Sequence, residues 1–407
     1  MAKNLTDMAT YESLMREVFD RIPRWEDRDD GFRVPRSRAH LVHQVLQDLL
    51  LRRIASVLCQ PHRLDNVSLR PLEARFAQMM QRAYAYGVNS GTAGLFLALR
   101  ACGIGPGDEV ITVGNSDIST TGAISHCGAT PVLCDILETD YTMDNAKVEM
   151  LITERTAALL PVDLYGHTAD VKSLREIADR YSLSIVEDAA LATGACDYGE
   201  PVGQFAHVTV FSFGAYKPLG SVGNGGMVVT DDEAIAERLQ LLRGYGRPPT
   251  NGLNESMYMD HLLEGYNLPL DPLEAVVVST KLTFLVEWTE RRREVATLYA
   301  EGLGDLEVGL PSFRSRSEPT FYTYVIQVQD RDAVYRMLRD RDIEVALYYL
   351  PPVHRQRAYV GHELGRSRLP VTDKVAERLL CLPVTPELRD SEVLYVVDAL
   401  REVLRSR

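Results

Sequence analysis

Apolar residues in the first part of this chain recur at spacings of three and four, the period of a helix with one buried face. The positions that follow this period are Leu41, Val42, Val45, Leu46, Leu49, Leu50 and Ile54. The pattern predicts an amphipathic helix. The surrounding residues are polar and suggest no chemistry. We therefore expect residues 1–60 to form a helical extension that packs against the body or against a partner subunit.

From residue 84 the pattern changes to short apolar strands that alternate with helical segments. The predicted strands are Tyr84–Val88, Glu109–Val113, Pro131–Cys134, Ala157–Asp163, Leu183–Glu187, His207–Phe213 and Met227–Thr230. The predicted helices are Thr92–Ala101, Ser119–Cys127 and Val171–Tyr181. This alternation predicts an α/β domain with a largely parallel sheet. Such sheets bind ligands at the carboxyl ends of their strands.

A long helical pattern after Leu282 predicts a connection between two domains. Beyond it, the patterns predict two strands and one helix, which are Phe321–Val328, Glu344–Leu350 and Ala333–Arg341. These elements predict a small α+β domain. The expected division is an extension over residues 1–60, a large α/β domain over 61–290 and a small domain over 291–407.

Composition and charge narrow the classes of function. The 407 residues carry a net charge of −13 without a long basic run, which argues against nucleic-acid binding. No two of the six cysteines form a C-x-x-C pair, so neither a zinc site nor an iron–sulfur cluster is predicted. No signal peptide and no membrane span is evident. We therefore expect a cytoplasmic protein without a bound metal.

One of the six lysines, Lys217, stands in a sequence context that is typical of a catalytic lysine. Lys217 follows an apolar strand and precedes a glycine-rich loop, within VFSFGAYKPLGSVGNGG. A lysine that forms a Schiff base needs a partly desolvated pocket, which lowers its pKa and frees its amine. A solvated lysine in a turn is the alternative that this segment alone leaves open.

A second candidate feature is the segment NSGTAG at residues 89–94, which follows a strand and opens a helix. The free N–H groups of a helix N-terminus bind phosphate well. The same segment is also compatible with an ordinary helix cap, in which Ser90 or Thr92 is the capping residue.

The third feature is Asp188, which ends the apolar strand that begins near Leu183. A carboxylate in that position is costly unless it has a partner. A protonated pyridine nitrogen would be such a partner, and a helix-capping role is the alternative. Ser212 ends the strand before Lys217 and could reach the same phosphate as the helix N-terminus.

The order of phosphate loop, strand-end aspartate and lysine matches pyridoxal 5′-phosphate (PLP) enzymes of the aspartate aminotransferase fold type. In detail the chain resembles the DegT/DnrJ/EryC1/StrS family of sugar aminotransferases. The resemblance runs over roughly residues 68–407 and is carried by VNSGTAGLFLALRACGIGPGDEVIT, GATPVLCDI, LLPVDLYGHTADV, IVEDAALATGA, VFSFGAYKPLGSVGNGGMVVT, GYNLPLDPLEAVVV and YYLPPVHRQRAY. It implies fold type I, with a large PLP-binding α/β domain and a small C-terminal α+β domain.

The resemblance also implies roles for single residues. Lys217 would bond the cofactor and move a proton, and Asp188 would pair with the pyridine nitrogen. Three residues would hold the phosphate, namely Gly91, Thr92 and Ser212. Asn267 would reach the phosphate site of a neighbouring subunit, which implies a homodimer with shared active sites.

The resemblance implies that His354 lines the sugar-nucleotide pocket, and that Tyr165 and His167 lie in a loop near the cofactor and help to place it. Tyr165 is also a candidate contact of the substrate. The chain departs from the family in several positions. Leu191 stands where a glutamine is common, and Asp117 stands where an aromatic residue commonly stacks on the cofactor ring. Pro269 replaces an arginine. Asp117, Asn115 or Ser119 could therefore contact substrate hydroxyls instead.

The function implied is transfer of an amino group from an amino acid, expected to be L-glutamate, to a keto-sugar that is expected to be nucleotide-linked. PLP would alternate with pyridoxamine 5′-phosphate, and the product would serve aminosugar or antibiotic biosynthesis. Two alternatives of the same family are a cyclitol aminotransferase and a PLP-dependent sugar dehydratase. Dehydratases of this kind typically have histidine in place of the lysine, so Lys217 argues against the second.

Overall fold

The computed structural model describes residues 11–22, 32–59, 69–248 and 260–406. Within these ranges the helices are α1 (Tyr11–Asp20), α2 (Ala39–Val45), α3 (Gln47–Leu58), α4 (Arg70–Met79), α5 (Gly91–Ala101), α6 (Ile118–His126), α7 (Val171–Tyr181), α8 (Glu233–Arg243), α9 (Pro272–Lys281), α10 (Leu285–Leu303), α11 (Arg331–Arg339), α12 (Pro370–Arg378) and α13 (Asp390–Arg405). The strands are β1 (Tyr84–Val88), β2 (Glu109–Val113), β3 (Thr130–Cys134), β4 (Thr156–Leu159), β5 (Ser184–Asp188), β6 (Cys196–Asp197), β7 (Glu200–Pro201), β8 (Val208–Ser212), β9 (Gly226–Thr230), β10 (Ser317–Glu318), β11 (Tyr324–Gln327) and β12 (Leu379–Leu382).

Seven strands form the central sheet in the order β1-β9-β8-β5-β4-β2-β3. The pairs from β8 through β3 are parallel, whereas β9 is antiparallel to both of its neighbours. Because β1 and β8 each pair with β9, they run in the same direction. The register aligns Val88 and Ser212 with Gly226, and it places Asp188 beside Val210. The carboxyl ends of β1, β5 and β8 therefore meet at one edge of the sheet.

The sequence explains why these strands lie inside the molecule. Every residue of β2, β8 and β9 is buried, as expected for central strands with helices on both faces. Helix α5 packs its apolar residues against this sheet. Gly94 allows that contact, because a Cβ there would lie 2.7 Å from the Cγ1 atom of Val210.

A second core lies outside the central sheet. It includes apolar residues of the two-stranded sheet β11–β12, of the C-terminal half of α10, and of α11 and α13. Val34 of the N-terminal segment belongs to this core, and its backbone pairs with that of Ile343. Helices α1 to α3 instead pack against α9 and against Phe284 and Trp288.

Three predicted elements differ in the structure. The predicted strand Glu344–Leu350 is wrong, since this segment forms only an isolated bridge between Ala346 and Cys381. The predicted strand Ala157–Asp163 ends at Leu159, two residues before Pro161, which has no N–H to donate to a sheet. The single helix predicted for residues 41–54 is two helices that meet at Leu46.

Helix α10 serves more than one core, because its first half packs with the large sheet and the extension and its second half with the small sheet. The division of the chain near residues 60 and 290 therefore stays a prediction. Among the described helices, none combines the length and the apolar character needed to cross a membrane.

Candidate active site

A cleft opens at the sheet edge where β1, β5 and β8 end. Its empty volume, including the mouth, is about 740 Å³. The sequence-predicted residues that line it are Gly91, Thr92, Asp117, Ser119, Asp188, Leu191, Ser212 and Lys217. The structure thus brings together the amine, the strand-end carboxylate and the helix N-terminus that were predicted from separate segments.

The N-terminus of α5 forms one end of this cleft. Ser90 is the N-cap, and its Oγ atom accepts a hydrogen bond from the Ala93 N–H at 3.1 Å. The amides of Gly91 and Thr92 precede that bond and lie at the cleft, where a helix N-terminus attracts an anion. A Cβ on Gly91 would lie 2.9 Å from the Cβ of Ser212, so only glycine lets these two residues approach. The structure thus shows Ser90 as the cap, and this leaves the amides of Gly91 and Thr92 available for an anion, whose binding stays a prediction.

Asp188 lies on the floor of the cleft and is 4% exposed. Its carboxylate accepts hydrogen bonds from the Thr120 hydroxyl at 2.9 Å and from the Ala190 N–H at 3.2 Å. Burial raises the pKa of Asp188, and these two hydrogen bonds and the nearby Lys217 oppose that rise. The carboxylate is thus held in place and still faces the cleft.

Lys217 lies between this cleft and a second cavity and lines both. Its backbone N–H donates to the Gly214 carbonyl at 2.8 Å, which fixes the turn after β8. Burial lowers the pKa of the Lys217 amine, and the carboxylates of Asp188 and Asp117 partly offset this effect. A lower pKa frees more of the amine as a nucleophile.

The segment after β2 supplies a polar wall of the cleft. Asp117 caps α6, since its Oδ1 accepts from the Ser119 N–H at 2.9 Å, and both residues line the cleft. Asn115 points away, because its amide donates to the Tyr141 carbonyl at 3.3 Å and it is buried.

Four other predicted residues do not line the cleft in the described chain. Tyr165 is buried, and its hydroxyl donates to the Tyr348 carbonyl at 2.7 Å. His167 is buried behind it, and burial lowers its pKa to about 4. His354 pairs with Asp373 at 2.9 Å. Asn267 is exposed on a loop. Their proposed roles stay predictions.

Sequence reasoning missed Ser116, Thr120 and Tyr349. Ser116 and Thr120 are 2.8 Å apart through their hydroxyl oxygens, and Thr120 continues the contact to Asp188. Both follow β2, whose carboxyl end lies at the edge of the sheet that carries the cleft. This position in the sequence could have identified them as candidate site residues. Tyr349 lines the cleft from a segment that was predicted as a strand, and its place in the YYLPPVHRQRAY motif was a signal that was not used.

These residues fit PLP on two observations of the structure. The N-terminus of α5 and Ser212 form a glycine-dependent cradle for a phosphate. At the other side, the buried Asp188 carboxylate has no salt-bridge partner among the described residues, so a cationic ring nitrogen can serve as one. When bound, PLP supplies an electron sink for reactions at the carbon next to a substrate amine. The fold and the site together define a fold type I PLP-dependent enzyme.

Comparison with known proteins identifies the family. Residues 64–401 match the model of the DegT/DnrJ/EryC1/StrS aminotransferase family. The chain belongs to this family and is a PLP-dependent aminotransferase.

Several relatives are similar over most of the chain. A dTDP-3-amino-3,4,6-trideoxy-alpha-D-glucose transaminase of Streptomyces venezuelae is 42% identical over 350 residues, which are 86% of this chain and 90% of that protein. The crystal structure of DesV from S. venezuelae has a TM-score of 0.86 and 40% identity, and the match covers 92% of this chain and 98% of that one. The structure of NtdA from Bacillus subtilis with bound cofactor PMP has a TM-score of 0.80 and 25% identity, with 98% and 95% covered.

Proposed function

We propose that this enzyme transfers the amino group of L-glutamate to a keto-sugar linked to a nucleotide, as a step in aminosugar biosynthesis. The observation that supports it most is the cleft that joins Lys217, Asp188 and the α5 N-terminus at one sheet edge. The named activity of the 42% identical relative, which is a dTDP-sugar transaminase, supports the substrate class. A role in antibiotic assembly and a cytoplasmic location are finer predictions of the same proposal.

In this proposal each residue of the cleft has one task. Gly91, Thr92 and Ser212 bind the cofactor phosphate through backbone and hydroxyl donors. Asp188 binds the ring nitrogen and keeps it protonated. Lys217 holds the cofactor and moves a proton to or from the substrate carbon at its Nζ atom, and its position on one side of the cleft sets the face that receives the proton.

A homodimer completes the proposal. Asn267 is exposed on the loop after α8 and does not line the cleft of its own chain. Two large aromatic side chains beside it are also exposed, those of Tyr245 and Tyr266, since Gly244 pairs with Asn267 and the Tyr245 N–H donates to the Tyr266 carbonyl. We infer that Asn267 reaches the phosphate site of a second copy, as the family resemblance implies.

The absorption spectrum of the purified protein with PLP tests this function. We expect a visible band of lysine-bound cofactor that L-glutamate converts to the pyridoxamine form. Addition of a nucleotide-linked keto-sugar should then restore the band. These three observations together would establish the cofactor, the donor and the acceptor.

Lys217→Ala provides the decisive variant, since it should lose the band and lower the rate by at least about 10³-fold, within the range for loss of a general acid–base group. Lys172→Ala is the matched control, because that lysine lies on α7 outside the cleft. A band that does not respond to glutamate would reject this donor, and a band that survives in Lys217→Ala would reject the assignment of the lysine.

A further inference from the structure

A second cavity lies on the other side of Lys217, between the N-terminal segment, helix α10, the residues before β11 and the loop after β12. Its empty volume, including its opening to solvent, is about 640 Å³, and Lys217 is part of its wall as well as of the cofactor cleft. A molecule in this cavity would therefore lie next to the amine that does the chemistry. Neither the family match, which begins at residue 64, nor the predicted site residues account for its N-terminal wall.

The wall of this cavity is cationic. The described residues that line it include one carboxylate, that of Glu387, and four cationic side chains, those of Arg36, Lys217, Lys281 and Arg292. Lys281 is 4% exposed and Arg292 7% exposed, so water screens their charges poorly. Burial lowers the pKa of Lys281 to about 8, although the Glu387 carboxylate opposes the shift. An enclosed space with this balance of charge favours an anionic ligand.

Two of these cations are already engaged. The Lys281 amine donates to the Gly220 carbonyl, and the Arg292 guanidinium donates to the Val384 carbonyl at 2.8 Å. They hold the loops of the cavity together and contribute positive potential. The indole N–H of Trp288, which also lines the cavity, is buried without a hydrogen-bond partner among the described residues. A ligand acceptor in the cavity would satisfy it.

Arg36 differs because part of its guanidinium is available. Its Nε atom pairs with Glu344 at 3.0 Å, and its backbone N–H donates to the same carboxylate at 2.9 Å. Within the described residues no hydrogen bond engages its two Nη groups. The guanidinium carbon lies 5.4 Å from the Tyr348 ring centroid and 5.9 Å from that of Tyr216. Glu344 therefore fixes Arg36 at its Nε atom, and the two Nη groups remain able to donate to a carboxylate.

We propose that this cavity receives the carboxylate end of the amino-acid donor and that Arg36, from the N-terminal segment, is its cationic contact. The inference rests on the proposed function, in which a donor must reach Lys217. L-Glutamate is compact and carries two carboxylates, and so matches a cavity lined by several cationic side chains. A nucleotide-linked sugar is longer and brings a neutral ring to the same amine.

The unreactive dicarboxylate glutarate is the probe for this site. Trp288 lies in the cavity wall, and Trp25 is the other tryptophan of the chain. In a Trp25→Phe background, the fluorescence of the holoenzyme should therefore report glutarate binding. We expect saturable quenching or enhancement by glutarate, and competition by glutarate against L-glutamate in the conversion of the cofactor.

Arg36→Gln should weaken glutarate binding about tenfold, as loss of a charge-assisted contact implies, and should raise the KM for glutamate more than it lowers kcat. The KM for the nucleotide-linked sugar should stay within twofold. Arg33→Gln is the matched control from the same segment, since its guanidinium lies 3.8 Å from the Tyr395 ring and does not line the cavity. Glutarate affinity that is unchanged in Arg36→Gln would overturn the proposal.

Glu344→Gln separates a direct contact from a loosened segment. The glutamine keeps an acceptor for the Arg36 N–H but removes the competing charge, so glutarate should bind as tightly as before or more tightly. A loss equal to that of Arg36→Gln would mean that the ion pair, and not the guanidinium, matters, and would reject the contact. A rise in the KM of the sugar alone would reassign the cavity to the acceptor. Absence of any response to glutamate in the wild type would instead reject the proposed function itself.

Discussion

The two cavities that share Lys217 are built in different ways. Apart from Tyr349, the cofactor cleft is assembled mainly at one edge of a sheet, from residues at or after the ends of β1, β2, β4, β5 and β8. The second cavity is assembled from six separate segments, from Arg36 in the extension to Glu387 after β12. The first depends on the order of strands, whereas the second depends on how separate units pack. Because of this difference, only the cofactor cleft can be predicted from the sequence. We also expect that substitutions away from the shared Lys217 change ligand binding in one cavity and leave it unchanged in the other.

After Lys217→Ala, the largest effect on the cofactor side is expected from Asp188→Asn. The amide still meets Thr120 and the Ala190 N–H but carries no charge for a ring nitrogen. We expect the rate of glutamate-driven conversion to fall roughly 10²- to 10³-fold, as for loss of one preorganised electrostatic contact. Stopped-flow absorbance measures this rate.

The matched control is Asp232→Asn, which changes a helix N-cap that accepts from Ile235 N–H at 3.0 Å, outside both cavities. Glutarate binding at the second cavity should be the same in Asp188→Asn as in the wild type. A parallel loss of glutarate affinity would show that the two cavities are one site, and it would reject the claim that they bind their ligands independently.

The cofactor cleft was predictable from sequence because most of its residues stand where the apolar pattern of a strand ends. Lys217, Asp188, Ser212 and Gly91 each stand at or just after a strand end, and parallel strands bring such ends together. Thr120 was missed although its neighbour Asp117 was considered, because a partner of a buried carboxylate leaves no pattern of its own.

The second cavity could not be predicted for a physical reason. Arg36 reaches it only because Val34 pairs with Ile343, more than 300 residues away in the chain. The segment that carries Tyr348 was predicted as a strand and is irregular. A pattern of apolar residues encodes which face is buried, but it does not encode which distant segment covers it.

A smaller effect is expected from Thr120→Val, which removes a hydrogen bond to a buried carboxylate. Such a bond to a charged group is worth about 1.5–3 kcal/mol, so the affinity for PLP should fall about tenfold or more. The Thr120 bond holds down a pKa that burial raises. Without it the pKa of Asp188 rises further and the carboxylate is protonated up to a higher pH. The loss of PLP affinity on acidification should therefore begin at a higher pH in the variant.

Equilibrium dialysis of PLP across a pH series measures this shift. Thr120→Ser keeps the hydroxyl and should behave as the wild type, which separates the hydrogen bond from the volume of the side chain. If the valine variant binds PLP as the wild type does at every pH, then Thr120 only fills space and Asp188 is positioned by the Ala190 N–H alone.

The smallest effect is expected from Leu191→Gln, which tests how the cofactor ring is held where the chain departs from its family. Leu191 lines the cleft and is 4% exposed, so it offers the ring an apolar contact and no hydrogen bond. A glutamine there adds a donor worth about 0.5–1.5 kcal/mol if it finds its acceptor, against the cost of burying its amide. We expect PLP to bind up to about threefold more tightly, measured by the same dialysis.

Leu191→Met is the control, since it keeps an apolar side chain of similar size. Tighter binding in the glutamine variant alone would mean that the ring lies where the family places it and merely lacks one contact. Weaker binding would mean that the polar wall of Asp117 and Ser119 holds the ring in another position, and that the leucine belongs to that arrangement. Either result leaves the second cavity untouched if the two sites are separate, so glutarate affinity in this variant is the finest test of their independence.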